Sequence, residues 1–116
     1  MKPLLLILLS LGLSTSVDIS KHWTTTKMIV ANETIEITSE DAFSLNLLSD
    51  GQLIYQVPSR AVEYAGSWEI QGDTVLYTTY KEEHNLQVED HYRIMELSSS
   101  RLKVKNLGDG IILEFE

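Results

Sequence analysis

Beyond residue 22 the chain alternates between apolar and polar positions with a period of two, in short runs broken about every eight to twelve residues by turn-forming residues. This alternation is typical of β-strands with one dry face and one wet face. The breaks include Asp50-Gly51, Gly72-Asp73 and Gly108-Asp109-Gly110, which tolerate tight or left-handed backbone geometry. The pattern predicts an antiparallel meander without a helix longer than a single turn.

Eight strands and a ninth at the end of the chain follow from the alternation. Their approximate ranges are 23–30, 34–38, 42–48, 52–57, 66–71, 74–81, 92–97 with an extension back toward residue 88, 102–105 and 111–115. A sheet with one apolar face must curl onto itself or pack on another sheet. Short hairpins favour closure, since a barrel removes exposed strand edges. We therefore expect an all-β, antiparallel up-and-down β-barrel of about eight to nine strands.

The first sixteen residues do not follow this pattern. One cationic residue, Lys2, precedes an uncharged run whose centre, residues 4–13, is almost entirely aliphatic. This is the layout of a secretory signal peptide, and the run is shorter than the roughly 20 apolar residues of a membrane-spanning helix. Small residues at Ser14 and Ser16 predict cleavage before Val17. We expect a signal peptide at 1–16, one domain at 17–116, a secreted or periplasmic location, and no stable membrane insertion after cleavage.

Charge and cysteine content narrow the classes of partner. The net charge of −8 becomes −9 when residues 1–16, with their single charged residue Lys2, are removed. Nucleic acids and anionic lipids require clustered Lys and Arg, so the sequence disfavours them as partners. The chain has no cysteine, which excludes disulfides, thiol catalysis and a lipid-modified cysteine. The hydrophobic core alone must hold the fold.

Three segments resemble the small lipocalin-like (calycin-type) domains of bacterial exported proteins. They are FSLNLLSDGQL (43–53), AGSWEIQGDTVLY (65–77) and YRIMELSSSRLKVK (92–105), which carry an Asp-Gly turn, a Gly-x-Trp strand with a Gly-Asp hairpin, and a Tyr-x-Ile strand before a Leu-x-Val strand. Lys21-His22-Trp23 stands where the family pattern has its first Gly-x-Trp. The resemblance implies a barrel that holds a small, largely apolar ligand.

Aromatic side chains at inward positions are the candidates for ligand contact. A ligand cavity typically has apolar walls and a few polar groups that orient the ligand. We expect Tyr55, Tyr80 and Tyr92 to contribute most, because a buried phenol needs a hydrogen-bond partner. The candidate ligand-binding residues are Phe43, Tyr55, Trp68, Tyr80 and Tyr92. Ordinary core packing is the alternative role for the same residues.

Histidines raise a metal hypothesis. If residues 82–91 formed a hairpin, His84 and His91 would face each other at its end, beside Glu89 and Asp90. The favoured alternative to a metal site is that residues 82–91 form a solvated, polar hairpin tip. No Gly-x-Ser-x-Gly elbow is present, and adjacent carboxylates on a strand point to opposite faces. We expect no metal site, no cofactor and no enzymatic activity.

Two functions remain open. The first is binding of a small, largely apolar molecule in the lumen or at the mouth of the barrel. The second is contact with another cell-envelope protein through the predicted loops 58–65 and 81–90, around a solid barrel core. The space inside the barrel distinguishes them, because eight strands leave room for either packed side chains or one small ligand.

Overall fold

A computed structural model of the protein describes residues 18–72 and 74–116. The predicted signal peptide, residues 1–16, lies outside the described residues. Within those two ranges, no helix has the length and apolar character needed to cross a bilayer.

The described residues form nine strands and two single turns of 3-10 helix. The strands are β1 (His22–Val30), β2 (Glu33–Glu36), β3 (Ser44–Leu47), β4 (Gln52–Val57), β5 (Val62–Gln71), β6 (Val75–Lys81), β7 (Gln87–Leu97), β8 (Leu102–Asn106) and β9 (Ile112–Phe115). The 3-10 turns are Pro58–Arg60 and Glu83–Asn85.

Eight of the strands close into an antiparallel barrel. Each strand from β3 to β8 pairs with the strand that follows it. β1 closes the circle, because its residues 22–24 pair with β3 and its residues 25–29 pair with β9. β2 lies outside this circle, pairs only with β1, and is exposed along its whole length. The predicted fold class is confirmed, and the predicted strand at 111–115 is the one that completes closure.

The two ends of the barrel differ. Because the strands alternate in direction, the β3–β4, β5–β6 and β7–β8 connections share the lower end with residues 18–21. At this end the indole nitrogens of Trp23 and Trp68 donate to the backbone oxygens of Ile19 (2.9 Å) and Leu48 (2.8 Å). Side chains fill the lumen above them, and the least exposed include Leu47, Leu53, Leu76, Leu102, Val104 and Phe115.

The upper end carries the β4–β5, β6–β7 and β8–β9 connections, and here one sequence-based boundary was wrong: β5 begins at Val62 instead of residue 66. β7 begins at Gln87, in agreement with the predicted extension back toward residue 88. Both strands extend because β4 and β6 continue to pair with them, up to Val57–Val62 and Lys81–Gln87. The connections are therefore residues 58–61 and 82–86, which are shorter than the contact loops predicted at 58–65 and 81–90.

Candidate ligand site at the barrel mouth

Three tyrosines stack on one another at the upper end of the lumen. Tyr55 of β4, Tyr64 of β5 and Tyr80 of β6 lie on the inner faces of adjacent strands. Their ring centroids are 4.5 Å (Tyr55–Tyr80), 5.8 Å (Tyr64–Tyr80) and 6.2 Å (Tyr55–Tyr64) apart, with interplanar angles between 6° and 12°. Phe43, just before β3, lies 5.4 Å from the Tyr55 ring. We call Phe43, Tyr55, Tyr64 and Tyr80 the aromatic mouth.

A carboxylate and an amide lie beside the aromatic mouth. Asp90 is in phase with buried Tyr92 on β7, so its side chain is on the inner face, directly across from Thr78 of β6. The Asn106 side-chain nitrogen donates to an Asp90 carboxylate oxygen at 3.2 Å. A pocket of about 440 Å³ adjoins this pair; its lining is Glu89, Asp90, His91, Asn106, Leu107 and Gly108.

The pocket exists because β7 is longer than its neighbour. The β7–β8 ladder ends at the Tyr92–Asn106 pair, and the Leu107 backbone N–H then donates to the His91 oxygen at 2.8 Å before the chain turns away. Residues 87–90 pair with β6 on one side. On their other side, no strand of the described chain pairs with them. The barrel wall is therefore low beside Asp90.

Burial shifts the titration of three phenols in the upper lumen. Desolvation is the main cause that raises the pKa values of Tyr55, Tyr80 and Tyr92 above the ordinary value. On the outer face, the Tyr77 hydroxyl donates to Glu89 at 2.6 Å, and this hydrogen bond raises the Tyr77 pKa. The Tyr55 and Tyr80 hydroxyls of the mouth therefore stay neutral well into the alkaline range.

The five predicted ligand-binding residues occupy three different places. Phe43, Tyr55 and Tyr80 converge in the aromatic mouth. Tyr92 lies deeper, paired with Leu76 and Asn106, and only 5% of its surface is exposed. Trp68 belongs to the closed lower end, where its indole is bonded to Leu48. The structure therefore brings three of the five into one site.

Three residues of the site were missed by the sequence analysis. Tyr64 was assigned to a loop, and Asp90 to a polar hairpin tip. Both were within reach of the period-two pattern: Tyr64 is in phase with Trp68, and Asp90 is in phase with Tyr92. Asn106, the last residue of β8, carries no such signal, because its role depends on where the β8–β9 connection passes β7.

The three histidines do not come together as the metal hypothesis requires. His22 begins β1 at the lower end, His84 lies in the β6–β7 connection, and His91 is on the outer face of β7, with its ring 4.5 Å from that of Tyr77. Among residues 18–72 and 74–116, no three His, Asp or Glu side chains are grouped as metal ligands would be. The absence of enzymatic activity stays a prediction.

No family model, curated protein or solved structure matches the chain. The architecture itself, a closed antiparallel barrel of eight strands with one additional strand, is consistent with a calycin-like fold.

Proposed function

We propose that the protein is a lipocalin-like barrel that binds a small, largely apolar molecule at its mouth. Leu53 and Leu102 in the lower lumen are fully buried, whereas Phe43, Tyr55 and Tyr64 at the upper end are only partly buried, so the ligand occupies the upper end. Lipocalin-like membership rests on the sequence segments described above together with the closed barrel. A ligand bound at the mouth needs no deep cavity in the lumen.

The observation that carries this proposal is the aromatic mouth beside an open pocket. Ligand sites of about 300–1,000 Å³ combine apolar walls with a few convergent polar groups. The mouth supplies the rings, and Asp90 and Asn106, which also line a pocket of about 440 Å³ at the edge of the barrel wall, supply the polar groups. Stacking against a tyrosine ring contributes about 0.5–1.5 kcal/mol beyond area burial. A small aromatic or aliphatic molecule matches this lining.

The test is binding of the neutral fluorescent probe N-phenyl-1-naphthylamine. We expect probe fluorescence to rise with the mature protein, and Tyr64→Ala to weaken probe affinity about tenfold through loss of one stacking wall. Ile54→Ala, on the outer face of the neighbouring strand β4, is the matched control and should bind as the wild type does. Absence of binding, or equal affinities for the two variants, would refute the proposal. Native mass spectrometry of protein from its own cells would reveal a natural ligand.

A second candidate function is contact with another cell-envelope protein. Exposed apolar side chains at the upper end favour it: Leu86 is 62% exposed, Leu107 44% and Ile35 43%. Leu86, in the β6–β7 connection, is the most exposed of the three. The test replaces Leu86 by a photo-reactive residue and cross-links the protein in intact cells, where we expect a partner to be captured. The same replacement at Glu69, on the outer face of β5, is the control and should capture none.

We also propose that the protein is exported, from the composition of residues 1–16. Cell fractionation should place the protein in the periplasm or the medium, and amino-terminal sequencing should begin at Val17. A cytosolic protein that retains Met1 or Lys2 would contradict this proposal.

A further inference from the structure

Asp90 retains most of its capacity to accept hydrogen bonds. A carboxylate has about four acceptor positions, and the Asn106 amide uses one of them at 3.2 Å. The ion pairs among the described residues join Lys27, Arg101 and Lys103 to glutamates, and none of these pairs includes Asp90. Within the described part of the chain, the carboxylate therefore has no charged partner. A half-buried carboxylate of this kind favours a cation from outside.

The other charges that act on the mouth are also negative. Burial is the largest cause of the raised pKa values of Tyr55, Tyr80 and Tyr92, and the charged residues that raise them further are Glu82, Asp90 and Asp109. The electrostatic potential at the mouth is therefore negative, and its low-dielectric aromatic walls strengthen the field.

Two buried hydroxyls belong to inward-facing neighbours of Asp90. Thr78 is directly across from Asp90 on β6 and is 2% exposed, and Tyr92 is the next inward residue on β7. Neither hydroxyl has a hydrogen-bond partner among residues 18–72 and 74–116. Buried polar groups are nearly always paired, so unpaired hydroxyls next to Asp90 indicate a missing partner. Each oxygen can accept a hydrogen bond from an ammonium group.

We propose that the ligand of the mouth is an organic cation: an ammonium group held against Asp90 and the tyrosine rings, with an apolar body toward Phe43 and Leu107. This inference rests on the proposed function and specifies its ligand class. The faces of aromatic rings attract cations, and stacked tyrosines beside a carboxylate provide both attractions at once. A bare metal ion fits less well, because Ca²⁺ requires six to eight oxygen ligands.

The experiment compares three probes of one shape and different charge. They are 2-phenylethylamine, which is cationic at pH 7, 2-phenylethanol, which is neutral, and 3-phenylpropanoate, which is anionic. Affinities of the mature protein are measured by calorimetry and by displacement of N-phenyl-1-naphthylamine. We expect the amine to bind at least about tenfold more tightly than the alcohol, and the anion to bind most weakly.

Asp90→Asn keeps the size of the side chain and should abolish the preference for the amine over the alcohol. Glu69→Gln removes the same charge from the exposed outer face of β5 and should leave that preference intact. Equal affinities for amine and alcohol, tighter binding of the anion, or equal behaviour of the two variants would overturn the inference. Because N-phenyl-1-naphthylamine is neutral, its binding without an amine preference would refute the cation alone and leave the proposed function standing. Failure of every probe would refute both.

Discussion

Gly66 shows how a single residue shapes the barrel. Gly66 is the first residue of the predicted strand 66–71, yet it lies within β5 on the inner face, paired with Tyr80 of β6 and Leu53 of β4. A Cβ atom at this position would overlap the Thr79 carbonyl oxygen and lie 2.8 Å from the Tyr80 Cα. The missing side chain thus allows β5 and β6 to approach closely below the stacked tyrosines.

Gly66→Ala is therefore expected to destabilise the protein by about 3 kcal/mol, because the overlap is with backbone that cannot rotate away. Urea denaturation followed by circular dichroism measures this change. Ala65→Ser, at the exposed neighbouring position on the outer face, should change the free energy of unfolding by less than about 0.5 kcal/mol. Equal midpoints for the two variants would show that β5 can shift away from β6.

Alkaline pH should destabilise the fold through the buried phenols. Burial raises the pKa of Tyr92 in the folded protein, whereas in the unfolded chain it stays near 10. Below pH 10 the phenol is neutral in both states; above it the unfolded chain loses a proton that the folded chain keeps. The free energy of unfolding should then fall by about 1.4 kcal/mol per pH unit for Tyr92. Denaturation curves between pH 8 and pH 11 test this, and Tyr92→Phe should give a shallower decline.

At the level of elements, the seam that β9 makes with β8 and β1 contains a nearly buried acid. Glu114 lies on the outer face of β9, and its side chain is only 10% exposed. The Arg101 guanidinium from the β7–β8 connection donates to it at 3.0 Å. Arg101 also lies 3.9 Å from Glu96, which links the connection to β7. This ion pair compensates a carboxylate that the sheet has partly removed from water.

Arg101→Ala should destabilise the protein by about 1–2 kcal/mol, since it leaves the Glu114 carboxylate without its partner while Arg101 itself is partly solvated. Replacing both residues, Arg101→Ala with Glu114→Gln, should restore part of this loss. Lys105→Ala is the control, because Lys105 is exposed on the outer face of β8 and lies across from Arg93 and Ile112 instead of Glu114. Thermal unfolding measures all four proteins; an equal loss for Arg101→Ala and Lys105→Ala would argue against the buried pair.

The elements also show where sequence-based prediction succeeds. The predicted range of β4, 52–57, is the observed range, because Asp50-Gly51 and Pro58 end the alternation on both sides. β5 was predicted to begin four residues late, because Pro58, Ser59 and Arg60 suggested a longer loop. Backbone pairing of β4 with residues 62–65 across a four-residue connection decided that start, and the alternation within one strand does not show this pairing.

For the whole molecule, closure is the main structural event. β1 and β9 lie at opposite ends of the chain, and their pairing, from Thr25–Phe115 to Ile29–Ile112, leaves neither of them as a free edge. Phe115 is fully buried and packs its ring edge against Phe43 at 5.8 Å. Phe115 of the last strand thus belongs to the hydrophobic core and also contacts Phe43 of the aromatic mouth.

Phe115→Ala should cost about 3–5 kcal/mol, a large part of the 5–15 kcal/mol typical of a domain. Because β9 closes the barrel, we expect hydrogen exchange to accelerate in β8, β9 and β1 together. Ile35→Ala on the exposed β2 should change neither stability nor exchange in the barrel, since β2 lies outside the circle. Exchange confined to β9 in the Phe115 variant would indicate that closure is not cooperative.

The sequence by itself determined the strand content, the dry and wet face of each strand and the all-β class, because alternation with a period of two is a local property of neighbouring residues. It also identified Phe43, Tyr55 and Tyr80 as inward-facing aromatic residues. Only the tertiary structure decided that these rings meet Tyr64 at one end, that β2 stays outside, and that the wall is low beside Asp90. Those features depend on which strands pair, on their register and on their relative lengths, and the alternation within a single strand encodes none of these.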